Sequence, residues 1–283
     1  MVQVRTLKIA FAVAVALVVI ESAALAVVVT DKRTTDAKLR GSEQRADMVT
    51  ALIAVSSKFQ EELSVLDQAT SEGAARLAGQ DLNGSLARTV VNDTLASSEY
   101  AIDVLTCDRS GKVLAIGPEP WRWMSGTTLN ANDPVVLLMD DNRPIVSGLF
   151  LTLEGFWAVT VAYPVVDSNG VVSGAISTLF RPDHMMENIS RSLNGMSAMV
   201  QQSDGVILYD PDTTQVGKDV FTDPMFEDYP QVRTISSMMV GNTSGSGQYD
   251  FAGSGGTVTK LIHWTTVSAL EARWSVAVHM AAA

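Results

Sequence analysis

Two similar strand-turn-strand patterns, about 100 residues apart, constrain this chain more than any other feature of its sequence. In the first pattern, apolar residues flank a turn that contains Asp108 and Gly111, and in the second they flank Asp204 and Gly205. Glycine adopts the positive φ that a tight hairpin turn requires, and the aspartate side chain accepts hydrogen bonds from the turn backbone. A strand of alternating apolar residues that begins with tryptophan closes each half. The duplication predicts two similar β-rich lobes.

The composition excludes several classes of function. A net charge of −11 argues against nucleic-acid binding, because phosphate contacts require a basic face. Cys107 is the only cysteine, so the chain forms no internal disulfide, and we expect a buried structural thiol. His184, His263 and His279 lack metal-ligand spacing, and no nucleophile motif or phosphate loop is present. We therefore expect no catalytic residues, no metal site and no cofactor, and hence a protein that is not an enzyme. We also expect no nucleic-acid partner.

An apolar run at residues 9–29 determines the expected compartment. It has the length of about 20 residues that a membrane-spanning helix needs, is interrupted only at Glu21 and Ser22, and follows Arg5 and Lys8. One interpretation is an uncleaved membrane anchor, and the other is a signal peptide cleaved after small residues near position 26. The first predicts a single-pass membrane protein with most of the chain outside the cytoplasm, and the second predicts a secreted protein.

A long helix is predicted at residues 34–79, because apolar residues recur there at spacings of three and four. The stripe consists of Met48, Leu52, Val55, Phe59, Leu63 and Leu66. Such a stripe either packs on its own domain or forms a homodimer through a parallel helix pair, and both interpretations hold if different segments serve each role.

Four regions follow from these patterns: residues 1–33 as cytoplasmic tip and membrane anchor or signal peptide, 34–79 as the long helix, 80–182 as a first lobe and 183–283 as a second lobe. Each lobe shows two strands, a helix and then further strands. This order predicts an antiparallel sheet flanked by helices. The expected fold class is α+β, with an N-terminal transmembrane helix, a long helix and two tandem antiparallel-sheet lobes.

Several of these segments together resemble the double Cache family, the PAS-like extracellular sensor modules of prokaryotic receptors. The resemblance extends from about residue 34 to the end, and its motifs are the long first helix and residues 108–113, 163–174, 204–210 and 216–224. Residues 117–120 and 179–182 look like versions from archaeal methanogen proteins. The resemblance implies that residues 80–182 form the membrane-distal PAS-like lobe and residues 183–283 the membrane-proximal one.

The resemblance also implies a ligand pocket in the distal lobe, between the sheet and the loop and helix that cover it. In the amino-acid-binding branch of the family, an arginine followed closely by Trp-Tyr holds the ligand carboxylate, and a later aspartate holds the amine. Here residues 121–124, Trp-Arg-Trp-Met, match the first element only roughly. Leu179 occupies the position of the aspartate, so the chain departs from the family pattern there.

Five residues are candidates for ligand binding: Trp121, Arg122, Trp123, Tyr163 and Asp103. The two indoles offer flat apolar walls, and the guanidinium offers a planar fork suited to a carboxylate or phosphate. The hydroxyl of Tyr163 and the carboxylate of Asp103 reach the same pocket if their strands turn those faces inward. The alternative for the three aromatic residues is core packing, and for Arg122 and Asp103 it is a solvent-facing position.

The sequence thus predicts a membrane-anchored, outward-facing module that binds a small molecule. Ligand would close the distal lobe and displace the helix at residues 34–79, and the displacement would reach the membrane. No output domain follows the last predicted strand, so we expect signalling through a partner protein. The alternatives are an exported binding protein with a cleaved leader, which serves a transporter or receptor, and a surface spacer that binds no small molecule.

Overall fold

The computed structural model describes the backbone of residues 2–253 and 256–282, and the side chains of residues 38–250 and 257–282. The chain divides into two compact units, of which the first ends at Asp47 and the second spans Met48–Ala282. Both sheets belong to the second unit. Among the residues whose side chains are described, no helix is long and apolar enough to cross a membrane. The apolar run at residues 9–29 lies outside that part of the chain.

The described residues form five α-helices, three short 3-10 helices and eleven strands. The α-helices are α1 (Val2–Leu77), α2 (Ser85–Ala96), α3 (Pro134–Asp141), α4 (Pro182–Ser190) and α5 (Pro230–Gly241). The 3-10 helices are Glu119–Met124, Thr213–Gln215 and Pro224–Phe226. The strands are β1 (Ala101–Asp108), β2 (Val113–Gly117), β3 (Ile145–Val146), β4 (Phe150–Leu151), β5 (Trp157–Val166), β6 (Val172–Phe180), β7 (Ser197–Gln202), β8 (Ile207–Tyr209), β9 (Ser244–Gly253), β10 (Gly256–Ala269) and β11 (Ala272–Ala281).

The strands form two antiparallel sheets with matching topology. The first sheet has the order β2-β1-β6-β5-β3, with β4 paired to β5, and the second has the order β8-β7-β11-β10-β9. In both sheets the first hairpin lies at one edge and the last strand of the lobe pairs with the first. The α+β class, the long helix and the two antiparallel sheets are therefore confirmed. We call β1–β6 with α3 the first lobe, and β7–β11 with α5 the second lobe.

The two hairpin turns that indicated the duplication form as predicted. Asp108 accepts hydrogen bonds at Oδ1 from the backbone N–H groups of Ser110 and Lys112, and Gly111 has a φ of +78°. In the second lobe, the backbone N–H of residue 206 donates to Asp204, and Gly205 has a φ of +100°. Both turns therefore use the aspartate and glycine that the sequence indicated.

The predicted apolar stripe of the long helix is buried against the chain's own sheets. Phe59 is fully buried and lies in one apolar cluster with Val159 of the first sheet and Val200 of the second. The ring centroids of Phe59 and Trp274 are 5.9 Å apart. Burial of each large side chain contributes about 1.5–3 kcal/mol, so this cluster holds α1 against both lobes. A homodimer through α1 stays a prediction.

Residues 241–247 are rich in glycine and serine, a composition that is typical of a turn. The segment instead enters β9, which begins at Ser244 and pairs with β10. A Cβ atom at Gly245 would lie 2.3 Å from the ring of Trp264. The glycine therefore serves the packing of an indole on a strand, and it does not mark a turn there.

Candidate functional site

The first lobe encloses a small cavity between its sheet and the elements that cover it. The cavity has a volume of about 20 Å³, which is enough for one water-sized guest. Its floor is formed by β1 and β6, and its cover by α3 and the hairpin that joins β4 to β5, here called the lid hairpin (residues 150–158). Its acidic and hydroxyl-bearing residues are Asp103, Asp133, Thr152, Glu154 and Ser177. We call it the acidic cavity.

Asp103 is the least exposed acidic residue at this cavity. Its side chain is 1% exposed, and it pairs across β1 and β6 with Leu179, which lines the same cavity. Among the described residues, its Oδ2 atom has no hydrogen-bond partner, and neither does Oγ1 of Thr152. A buried polar atom without a partner costs about 1–3 kcal/mol and is uncommon. Two such atoms at one cavity indicate a place for a polar guest.

Two of the carboxyl groups at the cavity, those of Asp103 and Asp133, have raised pKa values. Burial raises the pKa of Asp103 well above its usual range, and the nearby charges of Glu154 and Asp133 raise it further. Burial likewise raises the pKa of Asp133. Among the described residues that line this cavity none is basic, so the group favours a proton or another cation.

The local sequence explains how these side chains are held. Asp133 caps α3, because its Oδ1 accepts a hydrogen bond from the backbone N–H of Val135 at 2.9 Å, and Pro134 occupies the first turn of the helix. Glu154 lies in the turn of the lid hairpin, where Gly155 adopts a φ of +90°. The two acidic side chains thus come from the helix and the turn that cover Asp103.

The predicted Trp-Arg-Trp element, residues 121–123, does not line the acidic cavity. It forms the 3-10 helix Glu119–Met124, in which Arg122 ion-pairs with Glu119 at 2.6 Å and its side chain is 65% exposed. Arg122 borders a separate surface depression of about 290 Å³ together with Arg88 and Asn92 of α2. The structure therefore does not bring Arg122 to the cavity that contains Asp103.

The three predicted aromatic residues have different environments. Trp121 packs half-buried on the core of the first lobe, with its ring centroid 6.2 Å from that of Phe156. Trp123 is 58% exposed. The hydroxyl of Tyr163 donates to Oδ1 of Asp67 on α1 at 2.7 Å, and burial together with that carboxylate raises the pKa of Tyr163 to about 12. A ligand-binding role for these residues stays a prediction.

Hydrogen bonds connect the floor of the acidic cavity to α1. On β6, Thr178 lies between Ser177 and Leu179, which both line the cavity. Its Oγ1 is 2.7 Å from Oγ1 of Thr70 on α1, and both groups are buried. Farther toward the N-terminus of the same helix, Gln60 exchanges two hydrogen bonds, of 2.8 and 2.9 Å, with the backbone of residue 268 on β10.

The second lobe contains a much larger cavity, which sequence reasoning missed. It has a volume of about 400 Å³ and lies between the sheet, α5 and the segment at residues 210–229. We call it the second-lobe cavity. Its polar end includes Asp210, Tyr249, Lys260 and His279. One feature of the sequence could have indicated this cavity, namely polar residues on a strand face that is otherwise apolar. Lys260 lies on the same face of β10 as Ile262, and His279 lies on the neighbouring strand β11.

The charged groups at this cavity affect one another as well. Burial raises the pKa of Asp210 to about 6, although the backbone N–H of residue 212 and the charge of Lys260 act in the opposite direction. Burial and the charge of Lys260 lower the pKa of His279 to about 4, so its imidazole is neutral near pH 7. Burial and the charge of Asp210 raise the pKa of Tyr249.

Comparisons with known proteins agree with the fold. The family described as "HK/GC/Chemotaxis protein-like, sensor domain" matches residues 61–182. The extracellular ligand-binding receptor from Desulfohalobium retbaense aligns with a TM-score of 0.69 and 22% identity, over 82% of this chain and 40% of that one. No curated protein matches the chain.

Two chemoreceptor domains are similar over most of their own length. The ligand-binding domain of the Pseudomonas aeruginosa amino acid chemoreceptor PctB, in complex with L-Gln, aligns with a TM-score of 0.62 and 16% identity, over 82% of this chain and 89% of that one. The periplasmic sensory domain of the Campylobacter jejuni chemoreceptor Tlp1 aligns with a TM-score of 0.57 and 14% identity, over 82% of this chain and 92% of that one. At such identities the likeness establishes a shared fold with two antiparallel sheets.

Proposed function

We propose that this chain is an extracytoplasmic sensing module whose first lobe binds a small amine in the acidic cavity. The observation that carries the proposal is the buried, partnerless Oδ2 of Asp103 opposite Leu179. The family resemblance puts the amine-binding aspartate at the position of Leu179. In this chain a carboxylate projects into the same cavity from the neighbouring strand, and it can take over that role.

The charges at the cavity favour a cation without a carboxylate. An ammonium group donates up to three hydrogen bonds, and Asp103, Glu154 and Thr152 provide acceptors for them. Arg122, the predicted carboxylate partner, borders a different depression. A zwitterionic amino acid would therefore bring a carboxylate against acidic residues, which is unfavourable. We infer a monoamine or a similar small organic cation as the ligand class.

Ligand entry requires the lid hairpin to move, because a volume of about 20 Å³ does not hold an organic amine. Leu151 and Leu153 of this hairpin are 60% and 46% exposed, so few apolar contacts oppose its displacement.

Binding would then act on α1 through β6. A guest that displaces Ser177 and Leu179 also moves Thr178, which hydrogen-bonds to Thr70 of α1. The bonds between Gln60 and β10 extend the link to the second lobe. We further propose that the apolar run at residues 9–29 anchors the chain in the membrane as a single pass, and that a partner protein receives the signal.

A thermal-shift comparison of amines and anions tests the proposal. The probes are methylamine, ethylamine and trimethylamine, with acetate and propionate as matched anions. An amine at roughly 100 times its dissociation constant should stabilise the native state by about 2.7 kcal/mol. We expect the shift to vanish in Asp103→Asn and to persist in Arg122→Ala. Stabilisation by the anions alone, lost in Arg122→Ala, would overturn the proposal and move the site to the Arg122 depression.

A further inference from the structure

The second-lobe cavity has the dimensions of a ligand site. Its volume of about 400 Å³ falls within the range of about 300–1,000 Å³ that is usual for small-molecule pockets. Two apolar clusters bound it: one contains Ile235 and Met239 of α5 with Ile262, and the other contains Val220 and Phe226. Val232 packs against both clusters and lines the cavity. The cavity therefore has apolar walls on two sides, joined at Val232.

The register of the sheet gathers polar side chains at one end of this cavity. Lys260 of β10 is paired with Tyr249 of β9, and the next inward position of β10, Ile262, is paired with His279 of β11. Ser197 of β7 is in turn paired with His279. All of these side chains line the cavity, so its polar groups occupy two adjacent rows of one sheet face.

Opposite charges meet at this polar end. Asp210 follows β8 and lines the cavity, with its Oδ1 fixed by the backbone N–H of residue 212 at 2.8 Å. Lys260 lies close enough for its charge to act on Asp210 and on His279. A ligand with only an ammonium group would face Lys260, and a ligand with only a carboxylate would face Asp210. A molecule that carries both groups complements both residues.

We propose that the second-lobe cavity is a ligand site for a zwitterion with an apolar body. The ammonium group of the ligand lies against Asp210, and its carboxylate lies against Lys260. The apolar body extends between the two clusters toward Val220 and Met239. This site is separate from the acidic cavity and goes beyond the amine-binding role of the first lobe.

Isothermal titration calorimetry on the full chain, with three matched probes, tests this inference. L-Phenylalanine carries both charges, phenethylamine lacks the carboxylate and 3-phenylpropionate lacks the ammonium group. At the second-lobe cavity we expect phenylalanine to bind at least about tenfold more tightly than either analogue. The three probes are compared in Asp103→Asn, so that phenethylamine bound in the acidic cavity does not enter the comparison. Asp210→Asn and Lys260→Gln should each weaken its binding by about tenfold or more.

Three further variants place the site and provide controls. Val232→Phe fills the cavity and should abolish phenylalanine binding, while thermal melting checks that the variant is folded. Lys218→Gln removes a lysine of the same lobe that ion-pairs with Asp223 at 3.1 Å, and binding should be unchanged. Asp103→Asn should also leave phenylalanine binding unchanged, since it alters only the first lobe.

Several results would overturn the inference. They are the absence of phenylalanine binding at about 10 mM, equal binding of the three probes, and binding that survives both Val232→Phe and Lys260→Gln. Loss of phenylalanine binding in Asp103→Asn would assign the zwitterion to the first lobe and also contradict the inference. If amines fail to bind while phenylalanine binding depends on Lys260, the amine proposal fails and this one stands.

Discussion

Asp103 on β1 lies directly opposite Leu179 on β6, and both side chains line the acidic cavity. The amino-acid-binding branch of the family that this chain resembles has an aspartate at the position of Leu179. Here the pairing supplies a carboxylate from the adjacent strand. Neighbouring antiparallel residues have Cβ atoms about 4.5–5.5 Å apart, so the carboxylate remains within reach of the same guest. In the proposed site, this pairing supplies the carboxylate that the apolar side chain at position 179 lacks.

Replacing Asp103 with asparagine should stabilise the ligand-free protein near neutral pH. The pKa of Asp103 is raised in the folded state, so the folded state binds more protons than the unfolded state above pH of about 3.9, and stability falls as the pH rises. The neutral amide removes this cost. We expect a gain of about 1–2 kcal/mol in the free energy of unfolding at pH 7 that shrinks as the pH approaches 4. Urea unfolding at several pH values measures it, and a loss of stability that is equal at all pH values would contradict the prediction.

Asp210→Asn should show a similar pH dependence in the second lobe. The folded pKa of about 6 exceeds the unfolded value, so the cost of ionising Asp210 is absent below pH of about 4 and complete above pH of about 6. We expect the variant to gain roughly 2 kcal/mol at pH 7 and almost nothing at pH 4. Urea unfolding at pH 4 and pH 7 measures the difference, and an equal gain in stability at both pH values would contradict the prediction.

The hydrogen bond between Thr70 and Thr178 should couple α1 to the cavity floor. Replacing either threonine with valine leaves the other hydroxyl buried with one partner fewer, whereas the double variant removes both hydroxyls. We expect each single variant to cost about 1–2 kcal/mol and the double variant to cost less than their sum, with a coupling energy of about 0.5–2 kcal/mol. A double-mutant cycle from urea unfolding measures it, and strictly additive effects would show that the contact does not couple the two elements.

Gly174→Ala should strongly destabilise the first lobe. A Cβ atom at position 174 on β6 would lie 2.0 Å from the backbone oxygen of Cys107 and 2.6 Å from Leu82. Backbone cannot move aside cheaply in the middle of a sheet, so we expect a loss of at least about 3 kcal/mol. Gly241→Ala is the matched control, because a Cβ atom there meets nothing within 4 Å and Gly241 ends α5. A thermal melt of both variants measures the difference, and equal melting temperatures would refute the argument.

The predictable part of the fold rests on local chemistry. The turns at Asp108 and Asp204 and the helical stripe through Phe59 depend on residues close together in sequence, and all three form as predicted. Apolar and polar residues alternate along several segments with a period of two, and this alternation indicated the strands of both sheets.

The sites could not be predicted to the same depth, because they depend on contacts between distant segments. Alternation cannot tell which face of β1 carries Asp103 inward. The lid hairpin contains a two-residue strand, β4, that is too short to leave a periodic signal. Arg122 matched a motif by type, yet its 3-10 helix turns it toward Glu119 and α2. The second-lobe cavity arises from α5 and residues of five strands, β7 to β11, and no single segment encodes it.

The most direct test of the central claim is calorimetric titration of methylamine into the full chain at pH 7, in two buffers with different ionisation enthalpies. Because the raised pKa of Asp103 favours its protonated form in the buried cavity, a bound ammonium group should displace a proton from this carboxyl. We predict one binding site with proton release, and the loss of both binding and proton release in Asp103→Asn. Binding that Asp103→Asn leaves unchanged, or the absence of any methylamine binding, would contradict the account.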